Sequence, residues 1–483
     1  MKKVIKVLSV IALGLFLIIL GNALGVQGSF QKYLSQYKKE VNDQSKNLST
    51  DITQEEKEET LTYTERIEKG DTFLENGYSN FAIKEYEQAI KIASEKIEAY
   101  IKLGKIYFSE GQSEKAFEYF REALKQDPES IEAKINLGKV YMQKKDFNNA
   151  KVSFESIVGD NQTAVYYRGL IAAFMDDREA AKGHFKKAIE ISTTEETSKN
   201  ARRFLDAYEE FESSEGSEII YLQTLLAKVF NQVGEYDLAL KLAQDVVKEK
   251  NDYRDAWILL GYACLNKKDY ECALNAFLEA NNLDSEKAET QYFLGLTFIG
   301  LNKNEEAAKY LKMAIENGFE PQVEAKEKLA QIQLEIGQFR EAAENYEDVR
   351  KENPENLSNF TRPIWIYIEE LFEPEKALNI AQEAIQTHPE NAMSFNLLGW
   401  ALLENERYRE AEQNLKYALQ LDPNLSAAYL NLGQLAEKQG LIEKAKEYYK
   451  KAHSLATDEE TAVKNLAAQK YNEILKKEKN PNE

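Results

Sequence analysis

Residues able to do chemistry are scarce in this chain. Its 483 residues include two cysteines, Cys264 and Cys272, and three histidines, His184, His388 and His453. The cysteines are eight positions apart, so they form neither a CxxC pair nor part of a His/Cys cluster with metal-ligand spacing. Two cysteines exclude a disulfide framework and leave the redox compartment open. Cys264 reads as a small buried hydrophobe, and a reactive thiol is the lesser reading for either cysteine. The histidines fall at scattered repeat registers in or near second helices, and read as surface or edge residues rather than acid–base catalysts. The 82 acidic residues pair by chance in so charged a sequence, and no glycine-rich phosphate loop occurs. No catalytic, cofactor-binding or metal-ligating residue is assigned, and the chain reads as non-enzymatic.

The bulk composition narrows the partners. Against the acidic residues stand 62 lysines and arginines, giving a net charge of −20. Such a surface repels phosphate backbones, so nucleic acid is excluded as a partner; solubility is the simplest role of the charge. Only 8 prolines interrupt the sequence, and 43% of its residues are hydrophobic, enough for long stretches of packed helix.

The elements themselves are repeated. In "NLLGWALLENERYREAEQNLKYALQLDPN" (396–424), Gly399 interrupts a helical apolar pattern, where glycine costs about 1 kcal/mol relative to alanine. Twelve residues on stands Ala411, and this pair of small residues recurs along the chain. The first members are Gly70, Gly104, Gly138, Gly169, Ala227, Gly261, Gly295, Ala330, Trp365, Gly399 and Gly433. The second members are Ala82, Ala116, Ala150, Ala181, Ala239, Ala273, Ala307, Ala342, Ala377, Ala411 and Ala445. A period near 34 with two amphipathic helices per unit marks a solenoid. The small residues are expected to meet where the two helices cross, since a larger side chain there would cost about 1–3 kcal/mol of overpacking. Gly77, Gly111, Gly234, Gly337 and Gly440 fall seven residues after the first member, where a left-handed residue should end the first helix. Pro128, Pro354, Pro389 and Pro423 close second helices.

The copies "AYIKLGKIYFSEGQSEKAFEYFREALKQDPES" (99–130) and "AWILLGYACLNKKDYECALNAFLEANNLD" (256–284) resemble the tetratricopeptide repeat (TPR) family. The resemblance covers about 63 to 459. It implies an all-α TPR solenoid, a right-handed superhelix of about eleven helix–turn–helix pairs, that binds other proteins and catalyses no particular reaction. Two places break the period. A 58-residue gap holds the stripe Ala201, Phe204, Leu205, Tyr208 and Phe211, expected to be a helix covering the end of four repeats, with Ser213–Ser217 as a joint between two arrays. Near 365 the small position is taken by Trp365, with Pro363 just before it, which predicts a distorted or shortened first helix that bends the array. Val463, Leu466, Ala467, Tyr471 and Ile474 predict a terminal capping helix.

Ahead of the repeats, "MKKVIKVLSVIALGLFLIILGNALGV" places Lys2, Lys3 and Lys6 before an apolar run from Val7 to Leu20. With Gly21–Val26 the run is long enough to cross a bilayer, so residues 1–26 are expected to be an N-terminal transmembrane signal anchor with the repeats outside the cytoplasm. Ala23-Leu24-Gly25 leaves cleavage as a signal peptide, with a secreted or periplasmic product, as the alternative. Residues 27–62 read as a polar tether. The expected organisation is then 1–26, 27–62, an N-terminal array over 63–215 and a C-terminal array over 216–483.

The resemblance implies that the first helix of each pair lines the concave side. There the stripe beside the buried one is polar in early copies (Asp71, Lys105, Lys139) and apolar later. Ile258, Tyr262 and Leu265 are followed by Tyr292, Leu296 and Ile299, then by Met393, Asn396, Trp400 and Leu403. Ile258 and Leu403 read as packing between repeats. Tyr262, Tyr292, Leu296, Ile299, Met393, Asn396 and Trp400 are the candidate partner-binding groove, suited to an apolar peptide or helical segment of a protein. The lysine–asparagine–arginine clamp by which some TPR domains hold acidic chaperone tails is matched only by Lys105, Asn136 and Lys139, so that partner is not expected. The sequence therefore predicts a non-catalytic scaffold or adaptor at the membrane. Its alternatives are an accessory factor of envelope secretion, pilus or polysaccharide assembly, and an enzyme whose site is built on the solenoid.

Overall fold

The computed structural model describes residues 61–457 and 460–479. The apolar N-terminal run and the tether through residue 60 lie outside the described residues. No helix among those described is long and apolar enough to cross a membrane. The chain divides into two compact units between Val140 and Tyr141. In the first lie α1 (Tyr63–Glu75), α2 (Ser79–Ile92), α3 (Ile97–Ser109), α4 (Ser113–Gln126) and the start of α5 (Ile131–Gln143). The second continues with α6 (Phe147–Glu155), α7 (Gln162–Phe174), α8 (Arg178–Ile191), α9 (Glu195–Ser213), α10 (Ile219–Gln232) and α11 (Tyr236–Glu249). After these come α12 (Arg254–Asn266), α13 (Tyr270–Leu283), α14 (Ala288–Gly300), α15 (Asn304–Glu316), α16 (Gln322–Glu335) and α17 (Phe339–Glu352). The last group is α18 (Ser358–Trp365) with a π turn (Ile366–Glu370), α19 (Pro374–Thr387), α20 (Ala392–Glu404), α21 (Tyr408–Leu421), α22 (Ser426–Lys438), α23 (Ile442–Leu455) and α24 (Thr461–Lys479). All regular structure among the described residues is helical.

Most of these helices have thirteen or fourteen residues, a length that is marginal in isolation, so their stability comes from packing on neighbours. Each second helix places its repeat alanine in the core, fully buried at Ala82, Ala116, Ala273, Ala307, Ala411 and Ala445. The glycine of the first helix faces a larger group than expected. A Cβ on Gly433 would lie 2.5 Å from the Tyr449 ring, and one on Gly104 2.6 Å from Phe120. Gly70, Gly261, Gly295 and Gly399 meet Tyr86, Phe277, Leu311 and Leu415 in the same way. These partners lie four residues after the repeat alanine, so the glycine accommodates a ring or a leucine rather than the alanine itself. Gly138 is buried in α5 at the same register.

The turn after each first helix is left-handed in every repeat. Five are the glycines named above, with φ between 73° and 81°. Lys145, Asp176, Lys268, Asn302, Phe372 and Glu406 hold the same place in the others, with φ from 55° to 60°. Several second helices then start on a capping side chain: Asp146, Asp177 and Asp269 each accept from a backbone N–H three residues on.

Two irregularities differ from expectation. The helix α9 does not close an array. The ring of its Phe204 stacks on Phe185 of α8 at 4.6 Å and meets Phe230 of α10 edge-on at 5.1 Å, so it bridges its neighbours. In α18, Trp365 does not occupy the small position. Ile364 is fully buried there, and the π turn that follows takes up one extra residue before the left-handed Phe372. Pro363 lies within α18 and cannot donate a backbone hydrogen bond to the Asn359 carbonyl oxygen.

The cysteines are also corrected. Cys264 in α12 and Cys272 in α13 are joined by a disulfide, with Cα atoms 5.7 Å apart. Their spacing of eight spans one helix hairpin, which brings the two side chains together. The pair therefore carries no free thiol.

Candidate partner-binding groove

Four first-position helices of the second unit wall one concave cavity of about 400 Å³. Thr361, Trp365 and Glu369 come from α18 and its π turn, and Met393, Asn396, Leu397 and Trp400 from α20. Ala427, Leu430, Asn431 and Gln434 come from α22, and the terminal helix α24 adds Ala462, Val463 and Leu466. The lining follows the repeat: the α20 group recurs 34 residues later as the α22 group, and Thr361 and Trp365 precede Asn396 and Trp400 by 35. The register shift at Ile364 is what turns Trp365 into this wall. On its other side α24 buries Ala467 and Ile474 against α23, while Val463 and Leu466 are left to close the cavity.

The wall is apolar with a few placed polar groups. Asn431 Nδ2 donates to Asn396 Oδ1 at 2.9 Å, and Asn396 Nδ2 lies 3.4 Å from Met393 Sδ. Both asparagines are nearly fully buried, so this bond replaces water they have lost. Gln434 Oε1 is buried without a hydrogen-bond donor among the described residues. At the rim stands Glu369. Loss of hydration, and then the neighbouring carboxylates of Glu404 and Glu370, push its carboxyl above the ordinary carboxylate range, against the pull of Lys470 and Lys438.

Met393, Asn396 and Trp400 thus come together, and the other groove candidates stand apart from them. Tyr292 is buried: its ring stacks on Phe319 at 4.1 Å and its hydroxyl donates to Glu324 of α16 at 2.6 Å. It packs between repeats, because the next first helix stands where it points. Tyr262 meets Phe293 edge-on at 5.4 Å and is half-buried, as are Leu296 and Ile299. Trp365, Glu369, Leu430, Asn431 and Gln434 were not among the groove candidates read from the sequence, although stepping by one repeat from Trp400 reaches Gln434 and, by 35, Trp365.

Elsewhere the titratable groups serve structure. His388 Nε2 lies 2.9 Å from the Pro354 carbonyl oxygen, with its ring against Phe360. Burial and the nearby Arg168 lower the pKa of His184. Of the clamp-like residues, Lys105 pairs with Glu132, and Asn136 Nδ2 donates to the Glu132 carbonyl oxygen at 2.8 Å. Among the described residues no group of three or more His, Cys, Asp or Glu side chains could hold a metal.

Comparison with known proteins agrees with this architecture. Tetratricopeptide repeat profiles match residues 67–131, 107–174, 224–281, 324–356, 380–413 and 402–470, together more than half of the chain. The TPR repeat-containing protein MJ1428 of Methanocaldococcus jannaschii is 27% identical over 248 residues, 47% of this chain and 43% of that one. The peroxisomal targeting signal receptor of Saccharomyces cerevisiae is 26% identical over 226 residues, 44% of this chain and 36% of that one. The chain thus spans less than half the length of these relatives. The crystal structure of yeast Tom70 aligns with 87% of this chain and 97% of its own, at 16% identity and a TM-score of 0.29. With its repeating crossings, turns and profiles, the chain belongs to the tetratricopeptide repeat family.

Proposed function

We propose that this protein is a non-catalytic scaffold that holds a segment of a partner protein in the cavity walled by α18, α20, α22 and α24. The observation that carries the reading is that Trp365 and Trp400 line one apolar concave wall, beside an acceptor, Gln434 Oε1, that no donor among the described residues satisfies. Apolar concave surfaces with a few polar groups suit an inserted side chain, with aromatic rings as anchors and the amides fixing orientation. A volume near 400 Å³ admits one or two large side chains of a peptide or helix. The relative named as a targeting-signal receptor supports a role in binding protein segments.

We further propose that the repeats act outside the cytoplasm, held at the membrane by residues 1–26 or released after cleavage. Two features support this: the lysine-led apolar run, and the Cys264–Cys272 disulfide, a bond that persists in oxidising compartments. An accessory role in envelope secretion, pilus or polysaccharide assembly fits the same placement. The test is recovery of partners from solubilised membranes with wild-type protein and with Trp400→Ala. The variant should lose a partner that wild type retains, with helical circular dichroism unchanged; equal recovery would remove the groove from the function.

A further inference from the structure

The groove described above is lined by apolar side chains, but its rim carries an unbalanced charge. Glu369 has no hydrogen bond or ion pair among the described residues, and the carboxylates of Glu404 and Glu370 repel it. The two cations that face it are engaged elsewhere: Lys438 Nζ lies 2.9 Å from Glu404, and Lys470 Nζ 3.8 Å from Glu473. The π turn is what carries Glu369 to the cavity mouth, four residues beyond Trp365 on the same wall. Glu369 is exposed at the edge of the apolar cavity with no opposite charge paired to it, and a cation arriving with a ligand would meet it there.

From this we propose that the occupant of the cavity is a protein segment carrying a bulky aliphatic or aromatic side chain with a lysine or arginine beside it, the apolar group entering between Trp365 and Trp400 and the cation meeting Glu369. The inference rests on the groove reading and specifies the chemistry of its partner. Charge complementarity selects this occupant over a second copy of the chain, whose net charge of −20 would be repelled. An acidic segment would add a further negative charge beside Glu369, Glu370 and Glu404.

Of the three tryptophans, Trp257 lies outside the cavity in α12, so the Trp257→Phe variant reports on Trp365 and Trp400 alone by fluorescence. The probes are otherwise identical helix-forming peptides with leucines at i and i+4, flanked by lysine, glutamine or glutamate. Affinity should fall in that order, by about tenfold between lysine and glutamate peptides, the attraction of one and the repulsion of the other acting together. Raising the salt concentration should narrow the gap. Adding Glu369→Gln should bring the three peptides close together in affinity. If all three peptides bind equally to the parent variant, the charge inference is wrong and the groove reading stands. If the order survives Glu369→Gln, the assignment to Glu369 is wrong. If no peptide alters the fluorescence, the groove reading itself fails.

Discussion

Replacing Gly433 by alanine is the sharpest perturbation of the packing. The added Cβ would sit 2.5 Å from Tyr449 Cδ1 and Cε1, about 1 Å inside normal carbon–carbon contact. Tyr449 has no room to withdraw: its side chain is fully buried and its hydroxyl donates to Glu437 Oε2 at 2.8 Å. Overpacking of this kind costs about 1–3 kcal/mol, and loss of a hydrogen bond to a charged group about 1.5–3 kcal/mol more if the ring must move. Alanine returns about 1 kcal/mol through its better helix propensity, so the expected net loss is about 0–2 kcal/mol with the ring in place and about 1.5–5 kcal/mol if the Glu437 bond is lost. Gly183 supplies the control. It lies inside α8 with nothing within 4 Å of an added Cβ, so Gly183→Ala should stabilise by about 1 kcal/mol. The assay is hydrogen exchange resolved by segment, because long repeat arrays depart from two-state unfolding. Protection should fall across α22–α24 in Gly433→Ala and rise across α7–α8 in Gly183→Ala. Equal stabilisation by both substitutions would refute the claim that these glycines exist for contact.

Other outcomes follow from single residues. Phe372 has φ 55° and is 80% exposed, so Phe372→Gly removes left-handed strain without losing packing and should raise hydrogen-exchange protection across α18–α19 by the equivalent of about 0.5–1 kcal/mol; lower protection there would contradict this. Glu369→Gln should stabilise the protein at pH 7, since the folded state disfavours the ionised carboxyl. The sign follows from the raised pKa: the penalty is absent below the unfolded value of 4.5, where both states are protonated, and complete above the folded value. Denaturation of wild type and variant should therefore converge in acid, and a constant gap across pH would show that charge is not the cause.

The sequence is most informative where a residue type has one physical use. Glycine in mid-helix at Gly104, Gly399 or Gly433 has no local advantage, so its recurrence gives the crossing and the period. The same logic fails where one position admits many side chains. Lys145, Asp176 and Glu406 adopt the left-handed turn without glycine, and only the regular spacing marks them. Counting twelve back from Ala377 gives Trp365, because a one-residue π insertion leaves no trace in the sequence; the structure puts Ile364 in the crossing and Trp365 in the groove. Helical periodicity places Tyr292 on the correct side of α14 but cannot show that α16 stands in front of it. The Cys264–Cys272 bond depends on how tightly one hairpin closes, which a spacing of eight does not reveal.

The groove is tested most directly by a photo-crosslinking amino acid introduced in cells at Trp400 or Gln434, and at Tyr417, which is exposed on the second helix α21. Mass spectrometry then identifies the attached segment. Adducts from positions 400 and 434 to one contiguous stretch of one partner, and none from 417, are the predicted result. The same adducts from 417, or none from the groove, would contradict it.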